Sequence, residues 1–459
     1  MNQLKKTLFV LCTVFIILLM CCVCAAAETY DEYIVYPKQS SRRFRASPKN
    51  TKTDCILVSE KELETMLSAD TVEFYEPNYE VKLFTDFTGD QSGEQWNLDK
   101  IKISAAWDIG CFGNDVKIAV IDSGAYSHPD LSENLLPGYN YLTNSPDTTD
   151  NIGHGTFVSG IIAAEANEKY IDGIACHAKI VPLKCFDNGY KTTVYMLKTA
   201  IFDAVDKYGC KVINMSFGMK ENSETLRLAV EHALQNDCIL VAAVGNDGEK
   251  PNIANTIYYP ANYENVIGVG AVDKNNSLCA FSQKNTTVDV VAPGESISSV
   301  SIRGYDKNKG TSFSAPHVSA MAAIAKCIDE DITAEEFLSI LQKTSVPLGM
   351  GADRIYFGYG LIDVQGMVFE MLKNTEYFIS PIARTSLGTS VKVFNNTSEY
   401  LNAMGIVAEY ESGRLTGLDF KSISLPPGKT EVLTSKQINN VNFMLWDSCF
   451  NLRPLAEKR

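Results

Sequence analysis

The segment Val116-Lys117-Ile118-Ala119-Val120-Ile121-Asp122-Ser123-Gly124 decides the fold. Its apolar run is continuous rather than alternating, the pattern of a strand buried on both faces of a sheet. Working outward, similar runs recur at Lys179 to Leu183, Lys211 to Met215, Ile239 to Ala243 and Val266 to Val269. Helical patterns lie between them, among them Val194 to Tyr208 and Ser223 to Asn236. Buried strands joined by helices predict an α/β fold, a parallel sheet with helices on both faces, over about Trp96 to Leu372.

Different patterns flank this region, as expected for a 459-residue chain that exceeds one ordinary domain. Before it, Tyr33 to Tyr36 and Val72 to Tyr75 have strand character, and Ser59 to Ser68 is helical. Ser59 with Glu62 three residues on forms a capping signature. A polar stretch from Thr85 to Glu94 follows as a linker. After it, Val391 to Phe394, Gly405 to Tyr410 and Asn442 to Trp446 are strands separated by turn residues, which predicts a small β-sandwich. At the N-terminus Lys5 and Lys6 precede an apolar run from Leu8 to Val23 and then Ala25-Ala26-Ala27, the pattern of a signal peptide cut near Ala27. That run is close to the minimum that spans a bilayer. Retention as an anchor, or lipid on Cys21, Cys22 or Cys24, is the alternative, and the membrane is a partner only in those cases. The partition is therefore 1–27 signal peptide, 28–88 small α+β unit, 89–375 α/β domain and 376–459 β-rich domain.

A net charge of −14 and a pI near 5.0 exclude nucleic acid as a partner, because phosphate binding needs concentrated Lys and Arg. Of 13 Cys, four lie in the leader; the rest are scattered, with no C-x-x-C pair outside it, which argues against a zinc site. Several adjoin apolar runs, as Cys210 and Cys238 do, and are expected as buried thiols.

Four segments carry side chains suited to chemistry. Asp122 ends an apolar strand, and in open α/β sheets functional groups gather at the carboxyl ends of strands. His154 lies in Gly153-His154-Gly155-Thr156, where Gly on both sides permits close approach. Ser312 lies in Gly310-Thr311-Ser312 ahead of Ala315-Pro316-His317, with Pro316 placed early in a helix. Free N–H groups and the positive end of the helix dipole there favour a developing oxyanion. His317 is five residues after Ser312, so on a helix it points about 140° away and is badly placed to take its proton. Asn246, in Val244-Gly245-Asn246-Asp247-Gly248 after a strand, offers a carboxamide donor. Taken singly, a loop Asp, a structural His, an N-cap Ser and a turn Asn are the simpler accounts.

Taken together, Asp122-Ser123-Gly124, His154-Gly155-Thr156 and Gly310-Thr311-Ser312 with Ala315-Pro316-His317 resemble the signature blocks of the subtilisin-like serine proteases, the subtilase family (peptidase S8). The order Asp, His, Ser is also that family's. The resemblance covers about residues 95 to 372. It implies Ser312 as nucleophile, His154 as general base, Asp122 as the acid that orients it, and Asn246 with the Ser312 N–H as oxyanion donors. It implies no cofactor for the chemistry, and walls of the substrate cleft at Ser216, Phe217, Gly218, Val244 and Gly245. Residues 28–88 resemble the family's inhibitory propeptide, whose tail occupies the cleft until cut. The chain is then expected as a secreted, autoprocessed, monomeric zymogen of an endopeptidase, its partners being protein or peptide substrates and its own propeptide. Two further expectations rest on the same resemblance. Ile257-Tyr258-Tyr259 aligns where the family has a small pocket-floor Gly, and a Tyr there is expected to shorten the pocket and disfavour large side chains. Gln95, Asp130 and Asn167 fall where a structural calcium takes oxygen ligands, although Tyr170 replaces a loop Gly. The rival functions are hydrolysis of small esters or amides by the same groups, and non-catalytic binding through the β-rich C-terminus.

Overall fold

The computed structural model describes residues 30–38, 55–84, 95–167, 170–349, 353–385, 388–412, 414–437, 439–446 and 454–458. The expected signal peptide and the linker from Thr85 to Glu94 lie outside the described residues.

Two compact units divide after Asn78. In the first, β1 (Glu32–Pro37), β2 (Ile56–Ser59), α1 (Glu60–Ser68) and β3 (Val72–Pro77) form an antiparallel sheet of order β2-β1-β3 with one helix. Val35, Val58 and Leu63 are its core. The capping signature is realised: the Glu62 N–H donates to Ser59 Oγ at 3.4 Å, and Ser59 N–H to the Glu62 carboxylate at 2.9 Å.

The second unit contains, in chain order, β4 (Glu80–Leu83), β5 (Lys117–Asp122), β6 (Tyr139–Asn140), α2 (His154–Ala163), β7 (Lys179–Lys184) and β8 (Lys191–Thr193). There follow α3 (Val194–Asp206), β9 (Val212–Met215), β10 (Phe217–Gly218), α4 (Glu224–Leu234), β11 (Ile239–Ala243), β12 (Val266–Val272), β13 (Val290–Pro293) and α5 (Thr311–Ile328). Seven strands make a parallel sheet of order β13-β12-β11-β9-β5-β7-β6. Ile118 to Ile121 of β5 are almost wholly buried, as their unbroken apolar run requires. From β5 the chain builds outward in both directions, so a crevice opens between the carboxyl ends of β5 and β9.

Helix α5 is buried along nearly its whole length. It begins at Thr311, so Pro316 is its sixth residue and lies past the first turn where Pro costs nothing, contrary to the expected placement. The bond Pro316 cannot give is the one to the Ser312 carbonyl. The Ser216 hydroxyl takes its place, donating to that oxygen at 2.8 Å.

The C-terminal region is the expected sandwich. One sheet holds Tyr377–Ile379, Ala383–Thr385, Gly388–Asn395 and Thr430–Ser435; the other holds Leu401–Glu411, Arg414–Leu425, Val441–Trp446 and Pro454–Lys458. Val391, Val393, Val407, Phe443 and Leu445 lie in the core between them. Among the described residues the cysteines are thiols, seven of them buried and Cys55 half-buried. Burial pushes Cys176 and Cys210 up to about 12, which keeps them protonated and inert.

Candidate active site

Asp122 is the last residue of β5 and His154 the first of α2, and both are fully buried. The His154 Nδ1 lies 2.8 and 2.9 Å from the two Asp122 carboxylate oxygens. Two glycines permit this approach. Gly153 caps α2 at φ 95°, in the left-handed region. A Cβ on Gly155 would stand 2.2 Å from the Gly124 carbonyl oxygen and 3.1 Å from Asp122 Cβ, so only Gly fits there. Ser312 is the second residue of α5, and the ring of its neighbour Phe313 packs 5.4 Å from the His154 imidazole.

The chain itself occupies the crevice. Strand β4 lies between β10 and β8 in a three-stranded antiparallel sheet, with Leu83 opposite Phe217, Lys82 opposite Gly218 and Val81 opposite Thr192. This is recognition by strand addition, with the backbone holding the segment and alternate side chains entering pockets. Val81 and Leu83 are buried; Glu80 and Lys82 point outward into salt bridges among exposed groups. The strand delivers the Phe84 carbonyl to the site. Its oxygen is 2.5 Å from Ser312 Oγ and accepts from Asn246 Nδ2 at 3.3 Å. The Asn246 amide is aimed by Thr311, whose N–H and hydroxyl donate to Asn246 Oδ1 at 2.9 and 2.8 Å. Ser312 Oγ also lies 3.0 Å from the Ser216 carbonyl oxygen.

Phe84 places its ring in a slot beside Gly218, whose hypothetical Cβ would stand 2.5 Å from Phe84 Cζ. The other wall is Tyr258, edge-on to Phe84 with centroids 5.0 Å apart at 78°. The expectation that Tyr258 shuts out large side chains is corrected here. Its hydroxyl donates to the Asp247 carboxylate, and the ring meets the phenyl group as a wall. Gly245 adjoins Tyr258, and Val244 is buried beneath, beside Gly268. Strand β8, the other flank of the cleft, carries no signal in the sequence: Lys191-Thr192-Thr193 has no apolar pattern, and only its pairing with β4 reveals it.

His317 lies apart from this group, as the helical geometry demanded. Its Nδ1 is bound to the Phe313 carbonyl at 2.8 Å and its Nε2 is 3.0 Å from Asn97 Nδ2. Burial pushes its pKa down to about 4, so it is neutral at ordinary pH. Asp150 was not anticipated either. It is buried and accepts from Ser123, Thr156 and the backbone ahead of His154.

The residues expected to hold calcium do not fit an oxygen-ligated cation. Gln95 spends both ends of its amide on the backbone of Asp172, accepting from its N–H and donating to its carbonyl, each at 2.8 Å. Asp130 accepts from Asn167 Nδ2 at 2.9 Å on one oxygen and from the Tyr305 hydroxyl on the other. The Tyr305 hydroxyl thus meets the buried carboxylate where a cation would be needed. A chelator is therefore expected to leave the melting temperature of the purified protein unchanged within about 1 °C. A fall of several degrees, reversed by added calcium, would contradict the fit.

Residues 113–360 match the model of the subtilase family. The chain is 34% identical to the minor extracellular protease Epr of Bacillus subtilis over 340 residues, 73% of this chain and 50% of that protein. It is 38% identical to a thermophilic serine proteinase of a Bacillus species over 257 residues, 55% of this chain and 63% of that one. It thus spans only half to two thirds of these two relatives. Subtilisin BL of Lederbergia lenta is 34% identical, with 59% of this chain matching 97% of it. Among solved structures, a protease of Pseudoalteromonas arctica superimposes with a TM-score of 0.56 at 27% identity, covering 60% of this chain and 97% of that one.

Proposed function

This chain belongs to the subtilase family, and on that premise we propose that it is a secreted serine endopeptidase, made as a zymogen that cuts itself. The observation that carries the reading is the Phe84 carbonyl, held between Ser312 Oγ and Asn246 Nδ2, with Phe313, the neighbour of Ser312, packed on the imidazole that Asp122 holds. In the reaction, Ser312 Oγ attacks a substrate carbonyl carbon in the place of Phe84 while its proton passes to His154. Asp122 fixes the tautomer with the proton on Nδ1 and stabilises the imidazolium. The carbonyl oxygen, now an anion, takes hydrogen bonds from Asn246 and the Ser312 N–H. His154 then protonates the leaving amine, an ester to Ser312 remains, and water reverses the sequence to release the acid.

The bond cut in the chain itself is Phe84–Thr85, which moves the propeptide boundary from 88/89 to 84/85. Residues 80–84 are supported as the part of the propeptide that fills the cleft. The signal segment and the relative named as an extracellular protease support export; among the described residues no helix is long and apolar enough to cross a membrane. Monomeric behaviour is the simplest reading of a site complete in one chain. Among the described residues the β-sandwich supplies no group to this site, so the rival reading as a binding protein lacks a supporting contact there.

The test is to incubate the purified secreted protein with casein and to determine its N-terminus. Casein hydrolysis by a protein beginning at Thr85 is expected; an intact N-terminus near residue 28 without hydrolysis would overturn the reading. The Phe84 slot gives a second expectation. Peptides with Phe before the scissile bond should be cut at least about 10-fold faster in kcat/KM than those with Ala, since burying a phenyl group is worth about 2 kcal/mol. Equal rates would remove Tyr258 and Gly218 as pocket walls.

A further inference from the structure

We propose that Asp150 and Lys184 form a buried clamp that positions Asp122 against His154; this rests on the peptidase reading above. Both are charged and almost wholly buried, at 2% and 6% exposure, which is costly unless every polar atom is repaid. Asp150 is repaid five times. Its Oδ1 accepts from Ser123 Oγ at 2.9 Å, Ile152 N at 3.0 Å and Gly153 N at 2.8 Å. Its Oδ2 accepts from Thr156 N at 2.9 Å and Thr156 Oγ1 at 2.7 Å.

These donors lie on both sides of the reacting pair. Ser123 directly follows Asp122, and its hydroxyl also accepts from Gly155 N at 2.9 Å, directly after His154. One carboxylate therefore hooks the end of β5 to the first turn of α2. Lys184 stands opposite Asp122 in the register of β5 with β7. Its Nζ donates to the Ser123 carbonyl at 2.7 Å and the Thr149 carbonyl at 2.8 Å, tying the loop that carries Asp150 to the same strand end. The ammonium is faced by Asp122 from β5 and by Asp147 and Asp150 from the loop; burial lowers its pKa and these carboxylates oppose that. On the other side His154 meets Asp122 and the Phe313 ring, which precedes no further charge in α5 until Lys326.

A network that merely stabilised the fold would change the amount of folded protein. A clamp on reacting groups lowers kcat with KM held, since small misplacements cost much rate.

The experiment compares the processed wild type with Ser123→Ala, Asp150→Asn and Lys184→Met on a peptide with Phe before the cut. Ser123→Ala is expected to melt near wild type, lose about 10-fold in kcat and keep KM within about twofold. Asp150→Asn should lose about 100-fold; if it does not fold, Ser123→Ala and Lys184→Met carry the test. Lys184→Met should likewise lose about 10-fold in kcat with KM held. An active wild type whose Ser123→Ala or Lys184→Met variant keeps kcat overturns the clamp alone. A wild type without Ser312-dependent hydrolysis overturns the peptidase reading and the clamp with it.

Discussion

Ser312→Ala is expected to lower kcat on casein or a peptide by about a million-fold and to leave the chain joined at Phe84–Thr85. The hydroxyl is the atom that forms the ester, and nothing else at 2.5 Å from the Phe84 oxygen can replace it. The loss should be no greater when His154→Ala is added, because each works only through the other. Folding is not the cause: Ala fits α5, and the Ser312 backbone carbonyl keeps its bond from Ser216. Activity assay, intact mass and melting temperature, measured together on the variant, check all three statements. Cutting at residue 84 by the variant alone would mean that another nucleophile acts.

The second large effect belongs to Asn246→Ala, expected to cost about 100- to 1000-fold in kcat with KM little changed, the size established for the homologous donor of a subtilisin. The amide nitrogen donates to the oxygen that becomes charged, so its contribution grows as the reaction proceeds. Its aim is fixed by the two donors of Thr311, and Ala leaves both seeking other partners. A fall in affinity with unchanged turnover would show Asn246 to be a binding group instead.

Much of this was legible in the residues. The run Ile118 to Ile121 fixed a strand buried on both faces, and the acid at its end lies at the crevice the topology leaves. Gly on either side of His154 announced a close approach, which Gly155 makes with the Gly124 carbonyl. Hidden were features that depend on pairing between distant segments. Strand β8 and the tail β4 are too short and polar to announce themselves, and Tyr258 on its own carries no sign that Asp247 holds its hydroxyl. Asp150, four residues before His154, has the sequence context of any loop acid, and only the fold gathers five donors around it. The supposed calcium ligands illustrate the converse. Gln95, Asp130 and Asn167 are the right kinds of residue, yet Tyr305, 175 residues from Asp130, has taken one of the oxygens.

The most direct measurement is covalent labelling. The processed protein, treated with a fluorophosphonate and digested, should carry one adduct, on Ser312, formed in step with loss of hydrolysis and abolished by His154→Ala. An enzyme that cuts casein while Ser312 stays unlabelled, or that labels equally well without His154, would contradict the account.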